Sequence, residues 1–230
     1  RMVDFAGWEM PVQYTGIIEE HNHTRAACSV FDVSHMGRLK LTGDDCESFL
    51  ARVCTRKLKG AEVGRCYYSH ICREDGGILD DVIVSRFEDA WGVVCNASNR
   101  GKIVAWLEKH KSGQKVEIDD ETLRTAMVAC QGPKTIELAR QIAGTDLSTL
   151  KRYHLMVRAI GATAAVTYRS GYTGEDGVEI VIPAGLCPFL LPQLLGTPEA
   201  PHAVIKPAGL GARDTLRIEA GMPLYGHELS

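Results

Sequence analysis

The segment CYYSHICREDGGILDDVIV, residues 66–84, constrains the fold more than any other. It holds two runs rich in aromatic and β-branched residues, joined by REDGG. Asp75-Gly76 followed by Gly77 is the signal of a tight turn. A hairpin of this kind makes two neighbouring strands antiparallel. Strand and helix patterns then alternate along the chain without the long, regular spacing that parallel crossovers require. The expected class is α+β, with mixed or antiparallel sheets flanked by helices.

Other segments fill in that frame. GRLKLTG, residues 37–43, alternates Leu39 and Leu41 against Arg38 and Lys40, the period of a half-buried strand. WGVVCN, VEID, AMVACQ, RYHLMVRAI, ATAAVTYR and VEIVIP also read as strands. Residues 16–28 read as a helix, and so do residues 43–53. In the second, Asp44 as N-cap with Glu47 three residues on has capping-box spacing. Residues 99–111 put Ile103, Trp106 and Leu107 on one helical face, and Pro133 opens a helix at a favourable first-turn position. GLCPFLLPQLLG reads as a helix interrupted by Pro188 and Pro192, and ARDTLRIEAG as a further helix.

Composition excludes several functions. Of the 230 residues, 45% are hydrophobic and 24% charged, the balance of a globular chain. The net charge is −3 and the lysines and arginines are scattered, so no basic stripe for nucleic acid exists. No window approaches the roughly 18–20 apolar residues of a membrane span, and the N-terminus lacks the pattern of a signal peptide. The chain does not begin with Met and stops at MPLYGHELS, so a fragment or processed form is expected. None of the eight cysteines forms a CxxC, which points to reduced thiols and not to zinc or a disulfide framework.

Three segments carry candidate chemistry. In GGILDDVIV, strand alternation puts Ile78, Asp80, Val82 and Val84 on one side, and Leu79, Asp81, Ile83 and Ser85 on the other. Both sides are mostly apolar, so at least one carboxylate is expected in a desolvated position, where an ionised acid is costly unless paired. The competing reading has both acids at the strand mouth, capping backbone N–H groups. In SGYTGEDGVEI, three glycines permit close approach of a ligand, Tyr172 could stack on a flat ring, and Glu179 could point inward with Val178 and Ile180 outward. A carboxylate suits an amino-pyrimidine edge, accepting from a ring N–H and an exocyclic NH₂ together. The competing reading is a flexible hairpin with surface acids. GLGARDTLRIEAG has glycines but no Walker lysine, and its Arg213 and Arg217 form either an exposed ion-pair ladder or an anion site. His21 and His23, two apart on a helix, face away from each other and do not chelate together. His35 reads as a core histidine.

MVDFAGWEMPVQY, FDVSHMG, GGILDDVIV, SGYTGEDGVEI and PAGLGARDTLRIEAGMPLYG occur in the order and approximate spacing of one family. The chain resembles aminomethyltransferase, the T-protein of the glycine cleavage system, essentially end to end. The resemblance implies two intertwined lobes of a three-lobed folate-binding architecture. One lobe is expected to hold residues 1–37, 122–155 and 205–230, and the other residues 38–121 and 156–204. The family's C-terminal β-rich domain is expected to be missing. The implied activity moves the methylene carbon of an aminomethyl group from the dihydrolipoyl arm of a partner, the H-protein, to tetrahydrofolate, releasing ammonia. Related demethylases and non-catalytic folate-binding proteins are the alternatives.

Carried over by motif, the essential aspartate corresponds to Asp81 and the pterin-binding glutamate to Glu179. Tyr172 and Tyr68 are the implied ring contacts, Asn96 a polar contact, and Arg213 a contact for the anionic tail of folate. Tetrahydrofolate is the implied co-substrate, with no metal, and the family expectation is a monomer. A bacterial cytoplasm, or a mitochondrial matrix, is the expected location.

Overall fold

The computed structural model describes residues 1–143, 146–197 and 204–230. The chain divides into two compact units, Arg1–Ser34 with Arg124–Met222, and His35–Leu123 with Pro223–Ser230.

The first unit begins with a hairpin, β1 (Met2–Phe5) and β2 (Trp8–Pro11). Ala6 and Gly7 both take positive φ (54° and 80°), the two-residue turn whose twist matches the strands. Sequence patterning did not reveal this hairpin. Helix α1 (Ile17–Ala26) leads into β3 (Cys28–Asp32). After the second unit come β9 (Thr125–Gln131), α4 (Thr135–Ala143), β10 (Leu155–Ile160), β11 (Thr163–Tyr168) and β12 (Gly177–Pro183). Helix α5 (Cys187–Leu195), β13 (Ile205–Pro207) and α6 (Leu210–Glu219) complete the unit. Its six-stranded sheet has the order β10-β11-β12-β9-β3-β13. Every pairing in it is antiparallel except β13 with β3, so the sheet is mixed. Val30, Val128, Cys130, Val178 and Ile205 form one core with Leu138 of α4 and Leu194 of α5.

The second unit contains β4 (Gly37–Thr42), α2 (Cys46–Val53), β5 (Cys66–Cys72), β6 (Ile78–Arg86), β7 (Trp91–Cys95), α3 (Arg100–His110) and β8 (Glu117–Asp120). Its antiparallel sheet runs β5-β6-β7-β4-β8. Leu39, Leu41, Val82, Val84 and Val93 pack against Phe49 and Leu50 of α2 and Ile103 and Leu107 of α3. Burial of each such side chain is worth about 1.5–3 kcal/mol, which outweighs the weak helix propensity of a segment as short as α2. Trp106 packs against this core only in part.

The fold is the expected α+β arrangement, with four local corrections. The described part of residues 156–204 does not join 38–121, because β11 and β12 are hydrogen-bonded into the sheet of β9 and β3. Residues 223–230 belong with the second unit, where Ile78 N donates to Ser230 O and Lys102 Nζ to the Tyr225 hydroxyl. The capping box at Asp44 does not form. The α2 N-cap is Asp45, with no side-chain cap, because both acids are drawn to Lys115: Asp44 to its Nζ at 3.2 Å and Asp45 to its backbone N at 2.8 Å. The two prolines do not break α5 either. Pro188 occupies its first turn, where the missing N–H costs nothing, and the helix continues through Pro192.

Candidate active site

The six residues expected to carry function divide between the units. Tyr68, Asp81 and Asn96 lie in the second, and Tyr172, Glu179 and Arg213 in the first.

In the second unit, β6 presents the two acids in opposite directions. Asp80 lies on the core side with Val82 and Val84 and is fully buried, while Asp81 on the other side is half-buried. The desolvated carboxylate expected from the sequence is therefore Asp80. It is not left unpaired. Its oxygens accept from Asn96 N at 2.8 Å, Asn96 Nδ2 at 2.9 Å and Asn99 Nδ2 at 2.5 Å. Burial raises its pKa above the ordinary carboxylate value, and the Asn96 and Asn99 donors pull against that rise.

Asn96, at the end of β7, ties the two acids together. Its Nδ2 also donates to Asp81 Oδ1 at 2.7 Å, so one amide bridges two carboxylates that would otherwise repel. On the neighbouring strand, the Tyr68 hydroxyl donates to Asp81 Oδ2 at 3.2 Å. Asp81 thus receives donors on both oxygens and remains partly exposed. Sequence reasoning missed Asn99 and His70. The hairpin register gave a signal for His70, because it lies directly opposite Asp81.

In the first unit, Glu179 sits on β12 between Tyr168 of β11 and Ala129 of β9. Alternation holds, but Val178 and Ile180 face the apolar core and Glu179 takes the opposite side, half-exposed. Its Oε2 accepts from Ser170 Oγ at 2.5 Å.

The loop between β11 and β12 is pinned and not a loose hairpin. Arg169 holds Asp176 through two bonds, Nε to Oδ1 at 3.1 Å and Nη2 to Oδ2 at 2.6 Å, and keeps that carboxyl below its ordinary pKa. Arg25 takes Glu175 and the Thr173 carbonyl. Gln131, fully buried, donates to Ser170 O at 3.0 Å and accepts from Thr173 Oγ1 at 3.0 Å. Two of the loop's acids, Glu175 and Asp176, are thus held by arginines, while Glu179 on β12 is bonded to Ser170.

Arg213 lies on α6 with its guanidinium 4.7 Å from the centroid of the Tyr172 ring. Burial lowers its pKa, and Glu179 and Tyr172 push it back up. Arg217 does not share this role. It is buried and bonded to Asp214 Oδ1 and Met222 O, so the exposed ladder does not exist. The start of α6 is set by Glu20 of α1, a buried acid. Its Oε2 accepts from the N-cap Gly209 N, while its Oε1 takes Tyr14 N and Thr15 N. His21 bonds Thr215, and His23 bonds backbone carbonyls, each on its own side.

Among the described residues, no group of three or more His, Cys, Asp or Glu side chains is placed to hold a metal ion. No described helix is long and apolar enough to cross a membrane. All eight cysteines are thiols.

The GCVT N-terminal domain family matches residues 1–230, the whole chain. This chain belongs to that family. The aminomethyltransferase of Rubrobacter xylanophilus is 45% identical over 100% of the chain, and the chain spans 60% of that relative's length. The crystal structure of glycine cleavage system aminomethyltransferase T from Bartonella henselae superposes with a TM-score of 0.92 at 34% identity. It covers 100% of this chain and 61% of its own. Heterotetrameric sarcosine oxidase from Corynebacterium sp. U-96 shares the fold at a TM-score of 0.54 and 14% identity, over 77% of this chain and 88% of its own.

Proposed function

We propose that this chain is the folate-binding and carbon-transferring part of an aminomethyltransferase, and that its co-substrate is tetrahydrofolate. The observation that carries this reading is the bridged pair on β6 and β7. Asp81 is held by Asn96 and Tyr68 and stays half-open, while its neighbour Asp80 is buried as its support. The 45% identity to an aminomethyltransferase across the full chain supports the reaction class. The donor in this reading is an aminomethyl group on the dihydrolipoyl arm of a carrier, the H-protein of the glycine cleavage system.

Each site residue then has a role. Glu179 accepts from the pterin's ring N–H and amino group, its carboxylate fixed by Ser170. Arg213, always charged and stacked on Tyr172, meets the anionic tail. Tyr68 contributes its ring, and Asn96 orients Asp81. Asp81 serves the reacting nitrogens, taking a proton as the new C–N bonds form.

A calorimetric titration with 5-formyltetrahydrofolate tests the binding half. Native chain should bind saturably, and Glu179→Ala should weaken binding at least about tenfold, since a hydrogen bond to a charged group is worth about 1.5–3 kcal/mol. Equal affinity in the two proteins would remove Glu179 from the pterin site.

A further inference from the structure

The β5–β6 pair places a further titratable group, His70, beside that chemistry. His70 on β5 is the cross-strand partner of Asp81 on β6. Its Nε2 lies 3.4 Å from the Tyr68 hydroxyl oxygen, and that oxygen lies 3.2 Å from Asp81 Oδ2. The two rings meet edge to face with centroids 5.2 Å apart. The His70 backbone is clamped on both sides by one residue: its N donates to Thr55 Oγ1 at 3.1 Å, and its carbonyl accepts from Thr55 N at 3.0 Å. The imidazole is half-buried, so it reaches both the Tyr68 hydroxyl and solvent.

From this we infer that Tyr68 and His70 form a two-bond proton relay that resets Asp81 during carbon transfer. The relay rests on the aminomethyltransferase reading. A phenol has one proton to give and lone pairs to accept with. While Asp81 is ionised, Tyr68 donates to its Oδ2. Once Asp81 has taken a proton from a folate nitrogen, it becomes the donor to the Tyr68 oxygen, and the Tyr68 hydroxyl turns to Nε2 of neutral His70. One proton then moves along each bond, from Asp81 to the Tyr68 oxygen and from Tyr68 to Nε2. The carboxylate is restored, the phenol is unchanged, and the imidazolium holds the proton. The reaction needs such a carrier. Two protons leave the folate nitrogens, and one each must reach the departing amine nitrogen and the sulfur. The separations of 3.2 and 3.4 Å are within the range from which catalytic hydrogen bonds tighten in a substrate complex.

The test runs the reaction in reverse, with 5,10-methylenetetrahydrofolate, ammonium and dihydrolipoamide, on native protein, His70→Ala, His70→Gln and Tyr68→Phe. The relay requires that kcat fall by about tenfold or more in all three, near the low end of acid–base effects, with the folate KM of the His70 variants unchanged. Gln fills the space without carrying a proton, so it stays slow. Added imidazole should restore His70→Ala and leave Tyr68→Phe slow, which a packing role would not produce. Native turnover with unaltered His70 variants, or slow variants that imidazole does not rescue, would overturn the relay alone. Native protein that binds folate and turns nothing over would sink the transferase reading and the relay with it.

Discussion

The Nδ2 of Asn96 stands 2.7 Å from Asp81 Oδ1 and donates to Asp80 Oδ1 as well, at 2.9 Å. Two adjacent carboxylates on one strand, one buried and one half-open, thereby share a single donor. Without it the buried charge loses a partner and the half-open one loses its orientation.

Asn96→Ala should therefore cost both stability and transfer. Removing a donor from a buried acid costs about 1–3 kcal/mol, and misplacing Asp81 should lower kcat about 10²-fold. Asn96→Asp should be worse, since it adds a third negative group where two already repel. Thermal unfolding and turnover on the same samples check this. Full activity in Asn96→Ala would show that Asp81 needs no anchor.

Asp81→Asn keeps the shape of the side chain and its acceptor for Tyr68, but it cannot take a proton. The expected result is a kcat lower by about 10²–10⁴ with a folate KM close to native. If Asp81 only orients the ring, the asparagine variant keeps most of its turnover.

Arg169 and Asp176 give a prediction in pH. Arg169 holds the Asp176 carboxyl below its ordinary value, so the pair stabilises the fold above the unfolded-chain pKa, about 3.9. That stabilisation is lost as pH falls through the lowered folded value. At neutral pH, Asp176→Asn should cost about 1–2 kcal/mol, given the partial burial of both groups. The gap between native and variant should close at pH values below the folded pKa. Urea midpoints across that range measure it, and a gap that persists in acid would mean the effect is not the ion pair.

Much of this was legible in the sequence, for physical reasons that differ by element. Short-range rules located the β5–β6 hairpin, because Asp75-Gly76 is chemistry specific to a turn. They located α3, because Ile103 and Leu107 repeat at helical spacing and both are buried. They failed where a distant group outbid the local one. Lys115 draws Asp44 and Asp45 away from capping, and the sheet of β9 claims β11 and β12. Asp80 and Asp81 were both visible as acids. Which one is buried depended on the register with Ile71 and His70, which no single strand encodes.

The last prediction concerns Gly171, which precedes Tyr172. A Cβ at Gly171 would fall 1.9 Å from Gln131 Oε1 and 2.4 Å from its Cδ. Gln131 cannot yield cheaply, because it is fully buried and bonded at both ends to the loop, to Ser170 O and from Thr173 Oγ1. Gly171→Ala should therefore cost about 2–4 kcal/mol, from overpacking and from stranded amide groups, and should loosen the segment that carries Ser170 and Tyr172. Folate affinity should fall with it. Gln131→Ala removes both the staple and the obstacle, so adding Gly171→Ala in that background should cost far less than it does alone. A double-mutant cycle by urea unfolding measures the coupling. Strictly additive costs would show that Gly171 is required for some reason other than the insertion of Gln131.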